Sequence, residues 1–481
     1  MRRSVMFAGV VMMTPLAAYG AYHHGGDTDS EIALQAYPAI AGTKLDSCAL
    51  CHTGGQYEKK PGVWIELGSC QWCHYSYGYD ESGNIGDTLN EYGKAYNING
   101  RNQAALEALA GDDSDADGFA NAEEIAALRF PGNAADDPTK VIAPYRVLSR
   151  EQLETMPVHT QLMLMNTHKS GDFYAEYSGV PIADLLDDSG ILTSATGITV
   201  FAPDGWAQYH PLAPDADPLM YHVYGSYEAA QFFYDQQADD GLNADGWCDY
   251  SSPFIDELSH GDPIAVEGGL KMILAFERDN AYLQQGELTA SNKLDGEGPF
   301  RVVPPQKTAG PPDQSLTSGV QDVIWPFDEY ADHNAGFATR SATMIRVEPL
   351  PPGTTDVDIL EAGWNYVAEG KILLYGAIDP LETLLLKMNV LQGIVADMDK
   401  AVFTNGSIRQ VLTNRISQMQ RHLKRGHKRP VAAQLGNLVE RVDGCMNAGE
   451  SDRDDWLRSC HEQTTVYWAI QELNVLLDIE N

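Results

Sequence analysis

Between residues 408 and 423, Ile408, Leu412, Ile416, Met419 and Leu423 recur at spacings of four, four, three and four. That spacing lines one face of an amphipathic helix. Gly406-Ser407 supplies an N-cap before it, and Gly426 and Pro430 close it. Two further helices fit residues 431–443 and 454–479, so 379–481 reads as a helical bundle. Residues 141–378 carry another pattern. Short runs such as Ile198-Thr-Val-Phe201, Met272-Ile-Leu-Ala-Phe276 and Phe300-Arg-Val-Val303 are separated by Gly, Pro and Asp clusters. Helical patches are few there, at 181–186 and 227–237. This predicts a mainly-β α+β domain with long loops. The proline-rich residues 304–315 predict an extended surface loop. Residues 21–140 are loop-rich, with short helical patterns at 89–96 and 103–110, and prolines mark a boundary near 140. The expected architecture is multidomain.

Residues 1–20 have the form of a secretory signal peptide. Arg2 and Arg3 start it, residues 5–16 are an apolar run, and Ala18-Tyr-Gly20 is a small-residue cleavage site. The run is shorter than the roughly 20 residues a transmembrane helix needs. Ser4-Val5-Met6 continues the arginine pair poorly for the twin-arginine route, so the general secretory route is favoured. The expectation is a periplasmic or extracellular protein with no membrane span, starting near Ala21.

Lys and Arg number 32 against 68 Asp and Glu, a formal net charge of −36. Such an excess of acid argues against nucleic acid or an anionic membrane surface as partner, since phosphate binding needs Lys and Arg.

Four of the seven cysteines fall in two short motifs, Cys48-Ala-Leu-Cys51-His52 and Cys70-Gln-Trp-Cys73-His74. Two thiols at this spacing form thioethers to the vinyl groups of a porphyrin, and the adjacent His binds the iron. Composition alone would yield one such motif with a chance of roughly 0.003. A four-Cys zinc ribbon is the competing reading, but it makes both following histidines coincidental. The expectation is two covalent c-type haems on Cys48, Cys51, His52, Cys70, Cys73 and His74. His23 and His24 are candidate distal ligands, with a Met, His159 or His168 as alternatives.

Asp113-Ser-Asp115-Ala-Asp117-Gly118-Phe119-Ala-Asn121-Ala-Glu-Glu124 fits a calcium loop at positions 1, 3, 5, 6, 7, 9 and 12. Side-chain oxygens of Asp113, Asp115, Asp117, Asn121 and Glu124 would wrap one hard cation, with a backbone carbonyl from Phe119. Gly118 permits the sharp turn. A solvated acidic linker is the plainer reading. One loop without a partner points to a structural Ca²⁺ rather than a sensor.

Four segments resemble the molybdopterin-binding fold of the sulfite oxidase family: Ser178-Gly-Val-Pro-Ile-Ala-Asp-Leu-Leu186, Gly197-Ile-Thr-Val-Phe-Ala-Pro-Asp-Gly205, Met272-Ile-Leu-Ala-Phe-Glu-Arg278 and Gly298-Pro-Phe-Arg-Val-Val-Pro304. They stand in that family's order. In that family a Cys shortly before the first segment holds molybdenum. Here the corresponding stretch, Leu162-Met-Leu-Met-Asn-Thr-His-Lys169, has none, and Cys248 lies far downstream. The resemblance therefore implies the fold rather than the activity, with molybdopterin itself not expected. The order of motifs also resembles multidomain dihaem cytochromes of metal-respiring bacteria, with Cys70-Gln-Trp-Cys-His-Tyr-Ser-Tyr-Gly78 and Ala331-Asp-His-Asn-Ala-Gly336 among the segments that carry it.

Cys445 and Cys460 are expected to form a disulfide in an oxidising compartment. Arg421, His422, Lys424, Arg425, His427, Lys428 and Arg429 form a basic knot, read either as cations offsetting a helix dipole or as a docking point for an acidic surface. Function divides three ways. The chain is an electron carrier whose partners are other cytochromes or an extracellular acceptor. Alternatively it is a molybdenum-dependent oxidoreductase feeding its own haems, or a binding module linking a partner to a cytochrome chain.

Overall fold

The helix expected from the 408–423 pattern forms as Ile408–Leu423, and all five of its periodic apolar residues are buried. The computed structural model describes residues 28–46, 49–53, 56–60, 63–66, 89–168, 170–204, 206–213, 220–228, 230–242, 247–289, 294–315, 324–358 and 363–479. Leu381–Asp397, Lys428–Val439 and Cys460–Leu477 pack with this helix to make a C-terminal helical region.

Its boundaries differ from expectation for local reasons. Ser407 stands at the N-cap position but its hydroxyl bonds Asn405 Oδ1 at 2.7 Å, not the helix. Gly426, at φ +73°, ends the turn. Pro430 does not stop a helix. It lies in the first turn of Lys428–Val439, where its missing N–H costs nothing. The last helix begins only at Cys460, because Leu457 pairs with Phe403 and the Trp456 N–H donates to the Arg441 carbonyl at 2.8 Å.

Cys445 and Cys460 are bonded, with Cα atoms 5.4 Å apart. Replacing both with Ser should lower unfolding free energy by about 3 kcal/mol, the chain-entropy value for a loop of this size. Denaturant titration under non-reducing conditions measures it, and an unchanged midpoint counts against the tie.

In the basic knot, Arg421 and His422 occupy the last turn of their helix, where cations offset the dipole. Lys428 and Arg429 open the next helix, where the same dipole disfavours them. The dipole therefore accounts for only part of the knot.

The central region contains two five-stranded sheets. In one, the order Ala281–Tyr282, Ile273–Arg278, Phe173–Pro181, His159–Met165 is antiparallel throughout, and Arg301–Val303 also pairs with Ile273–Arg278. In the other, Tyr145–Ser149, Lys371–Gly376, Met344–Glu348, Gly197–Phe201 and Ala207–Pro211 are neighbours in that order, and the Lys371–Gly376 to Met344–Glu348 pair is parallel. Leu274 and Phe276 point into the main core shared with the helices, while Ile273 and Ala275 enter a second core with Tyr174 and Trp247. With both faces buried, such a strand reads as a continuous apolar run.

Two expectations for this region fail. Residues 227–237 are not a helix: Tyr227 bridges to Leu270, Ala230–Gln231 is a strand, and the helix is Gln236–Leu242. The aromatic rings of Phe232 and Tyr234 join the second core, which an extended backbone allows. Residues 304–315 are extended, as the prolines dictate, but are not a surface loop. Gln306, Asp313, Gln314 and Ser315 are buried. Their burial is made tolerable by Asp172, whose carboxylate accepts the N–H groups of Asp313 and Gln314 at 2.8 and 2.9 Å.

The N-terminal region has short helices, Thr28–Ala36, Ala49–His52, Glu91–Ile98, Gln103–Leu109 and Asn121–Ala126, around a small core that includes Ile40, Leu50, Tyr92 and Leu106. It is joined to the central region by buried charge. Lys44 Nζ lies 2.9 Å from Asp136 and 3.0 Å from Thr355 Oγ1, and Arg129 reaches Asp358 at 3.2 Å. Val141–Ile142 pairs in parallel with Thr354–Thr355 beside them. Among the described residues no helix is long and apolar enough to cross a membrane.

Candidate metal and cofactor sites

The acidic loop closes on itself by bonding its own backbone. Asp113 accepts the N–H groups of Asp117 and Gly118 at 3.2 and 3.0 Å, and Asp117 accepts that of Phe119 at 2.9 Å. Gly118 sits at φ +102°, a conformation an L side chain rarely adopts. One carboxylate oxygen each from Asp113, Asp115 and Asp117 lies within 4.8 Å of the others. Glu124 leads in from the helix Asn121–Ala126 and is wholly buried, with neither oxygen hydrogen-bonded. Asp115 Oδ2 and Asp117 Oδ2 are also buried and unpartnered. Burial, then the nearby charges of Asp115 and Asp117, push the Glu124 carboxyl up to about 9. Asp115 is raised by burial and by the charges of Asp117 and Asp113. Orphaned buried carboxylates of this kind are expensive, and a hard divalent cation would satisfy several at once.

Asn121 departs from the expected role. Its amide donates to the Leu109 carbonyl at 2.7 Å and accepts the Ser114 N–H at 3.2 Å, so it braces the loop. The loop's spare acceptors are the carboxylates.

Of the six haem-motif residues, Cys51 and His52 are described. Cys48, Cys70, Cys73 and His74, like His23 and His24, lie outside the described residues. Cys51 and His52 end the short helix Ala49–His52. Its seat depends on Asn90, which sequence reasoning passed over. The Asn90 amide donates to the carbonyls of Leu50 and Thr53 at 3.1 and 2.9 Å, and its oxygen caps Glu91–Ile98 through the Gly93 N–H at 2.7 Å. An Asn directly before a helical pattern is a capping signal that could have marked it. The two helices touch so closely that a Cβ on Gly93 would stand 2.4 Å from the Cys51 carbonyl oxygen.

Cys248 is buried at 3% exposure beside Trp247 in the second core. The chain brings it near residues 172–174, since Asp249 pairs with Phe173 and its N–H donates to the Asp172 carbonyl at 2.8 Å. Burial, with Asp172 adding to it, drives the thiol well above its ordinary value.

Comparison with protein-family models, with curated proteins and with solved structures found no match to this chain.

Proposed function

We propose that this chain is an exported dihaem c-type cytochrome that carries electrons outside the cytoplasm. The observation that carries the proposal is the pair of Cys-x-x-Cys-His motifs within 27 residues, 48–74. Cys48, Cys51, Cys70 and Cys73 hold the porphyrins and His52 and His74 bind the irons. When bound, the haems supply a reversible one-electron couple. The chain's own part is to orient them, and Asn90 fixes the short helix that bears Cys51 and His52. His23 or His24 would complete the coordination of one iron, which would close that haem to small ligands.

The acidic loop holds one structural Ca²⁺ through Asp113, Asp115, Asp117 and Glu124, with Phe119 offering its carbonyl. The central region is a molybdopterin-like fold without molybdenum chemistry. In support, residues 162–169 carry no Cys, and Cys248 is shut in an apolar core. Partners are other redox proteins or an extracellular acceptor. The charge of −36 favours cationic faces on them.

Metal content of the purified mature chain tests the reading. Two irons and no molybdenum per chain are expected. Molybdenum near one per chain would overturn the assignment of the central region, and absence of iron would overturn the whole.

A further inference from the structure

The central region holds a polar cluster that neither N-terminal site uses. It is built where three stretches of chain meet: residues 166–168 after the strand His159–Met165, residues 313–314, and residues 327–334. Buried bonds fix the meeting. Asp172, fully buried, accepts the Thr167 N–H at 2.7 Å as well as those of Asp313 and Gln314. Asn334, also fully buried, accepts the Asn166 N–H at 2.9 Å and donates to the carbonyls of Leu164 and Pro304 at 3.2 and 3.0 Å.

Within this frame several polar atoms are left over. Asp313 is 2% exposed; its Oδ2 accepts the Asp328 N–H at 3.0 Å, but Oδ1 has no partner. His333 Nε2 lies 3.3 Å from Asp313 Oδ2 yet makes no hydrogen bond. Asn166 Oδ1 is likewise buried and unpartnered. The Phe327 ring stacks on His333 at 5.3 Å and meets His168 edge-on at 5.5 Å, and the exposed His168 ring is 5.4 Å from that of His333.

A simple His–Asp ion pair accounts poorly for this. A charge-assisted N–H···O bond closes to about 2.7–2.9 Å and would be aligned. Two ligands of one tetrahedral ion, each bound at about 2.0–2.2 Å, stand roughly 3.4 Å apart. The 3.3 Å separation matches the second arrangement. The ligand atoms of His168, His333 and Asp313 are not all within 4.8 Å of one another in the observed rotamers. Of the three residues, His168 is the exposed one, and the site is completed by a turn of its ring from its place against Phe327 and His333.

We infer that His333, Asp313 and His168 form a binding site for a divalent transition metal of the zinc class. Two imidazoles and one carboxylate suit such an ion and not calcium, which takes oxygen ligands. Three protein ligands leave one position to water, the arrangement of a reactive rather than a closed structural site.

Zn²⁺ itself is the probe. The full haem-loaded chain is dialysed against Zn²⁺ with calcium in excess to fill the acidic loop, and bound zinc is counted by elemental analysis. Wild type is expected to take one Zn²⁺ per chain. His168→Ala, at an exposed position, should keep the wild-type melting curve and bind at least about tenfold more weakly, and His333→Gln should do the same. No stoichiometric zinc in wild type, or zinc binding unchanged in His168→Ala, would overturn the inference. So would zinc that is lost in Asp113→Asn but kept in the two histidine variants.

Discussion

Glu124→Gln should make the calcium-free protein more stable and abolish its response to calcium. The sign follows from the carboxyl's displacement upward from 4.5 to about 9. In the folded chain without metal, Glu124 keeps a proton that the unfolded chain releases. Its contribution is fully present below about pH 4.5 and is lost as pH rises through about 9. At pH 8.5 folding must put a proton on Glu124 that the unfolded chain lacks, so removing the carboxyl should gain about 1–3 kcal/mol, the usual penalty of an unsatisfied buried group. Calcium at a hundred times its Kd should stabilise wild type by about 2.7 kcal/mol and leave the variant almost unmoved. Thermal unfolding at pH 6 and pH 8.5, in EDTA and in calcium, reads all four conditions. Equal calcium shifts for both proteins would remove Glu124 from the site.

Cys51→Ser should reduce the haem content from two per chain to one. The second motif, Cys70 to His74, has its own thiols and its own iron ligand, so it should load independently. A haem-stained gel and a pyridine haemochrome measurement give the count, with the visible absorbance falling to roughly half of wild type. Substituting His23 and then His24 in the otherwise wild-type chain should change the low-spin spectrum in one case. A variant that still carries two haems would remove Cys51 from haem attachment, and a wild type that carries none after expression with a working haem-ligation apparatus would sink the cytochrome reading.

The parts of the fold that could be read from sequence are those whose periodicity is set by one buried face. Ile408, Leu412, Ile416, Met419 and Leu423 declared their helix because each of them faces the core. The strand Gly197–Phe201 declared itself by being buried along its whole length. Residues 227–237 misled because Tyr227 and Tyr234 stand seven apart, as on one helix face, whereas Phe232 and Tyr234 alternate as in a strand, and the choice was made by partners at Leu270 and Asp262. The burial of residues 313–314 depends on Asp172, more than 140 residues away, and no local signal announces it. In the acidic loop, spacing gave the register of Asp113, Asp115, Asp117 and Glu124, but not that Asn121 is engaged by Leu109. Nor could it show that Glu124 is sealed from solvent with both oxygens idle. The cluster of His168, Asp313 and His333 was invisible for the same reason: its members come from three distant stretches.

The buried contacts of Lys44 and Arg129 fasten the segment ahead of Cys51 and His52 to the central region. Lys44 stands a few residues ahead of Cys51 and His52, and its ammonium is buried between Asp136 and Thr355. The short helix Ala49–His52 thus follows a segment anchored on the sheets behind it, and a cofactor carried there would have its orientation set by them. The amino-terminal portion is for the same reason not a portable cassette: cut away from Thr355 and Asp358, it would keep Asp136 beside Lys44 but open that buried pair to water, and it would strip Arg129 of its carboxylate across the junction.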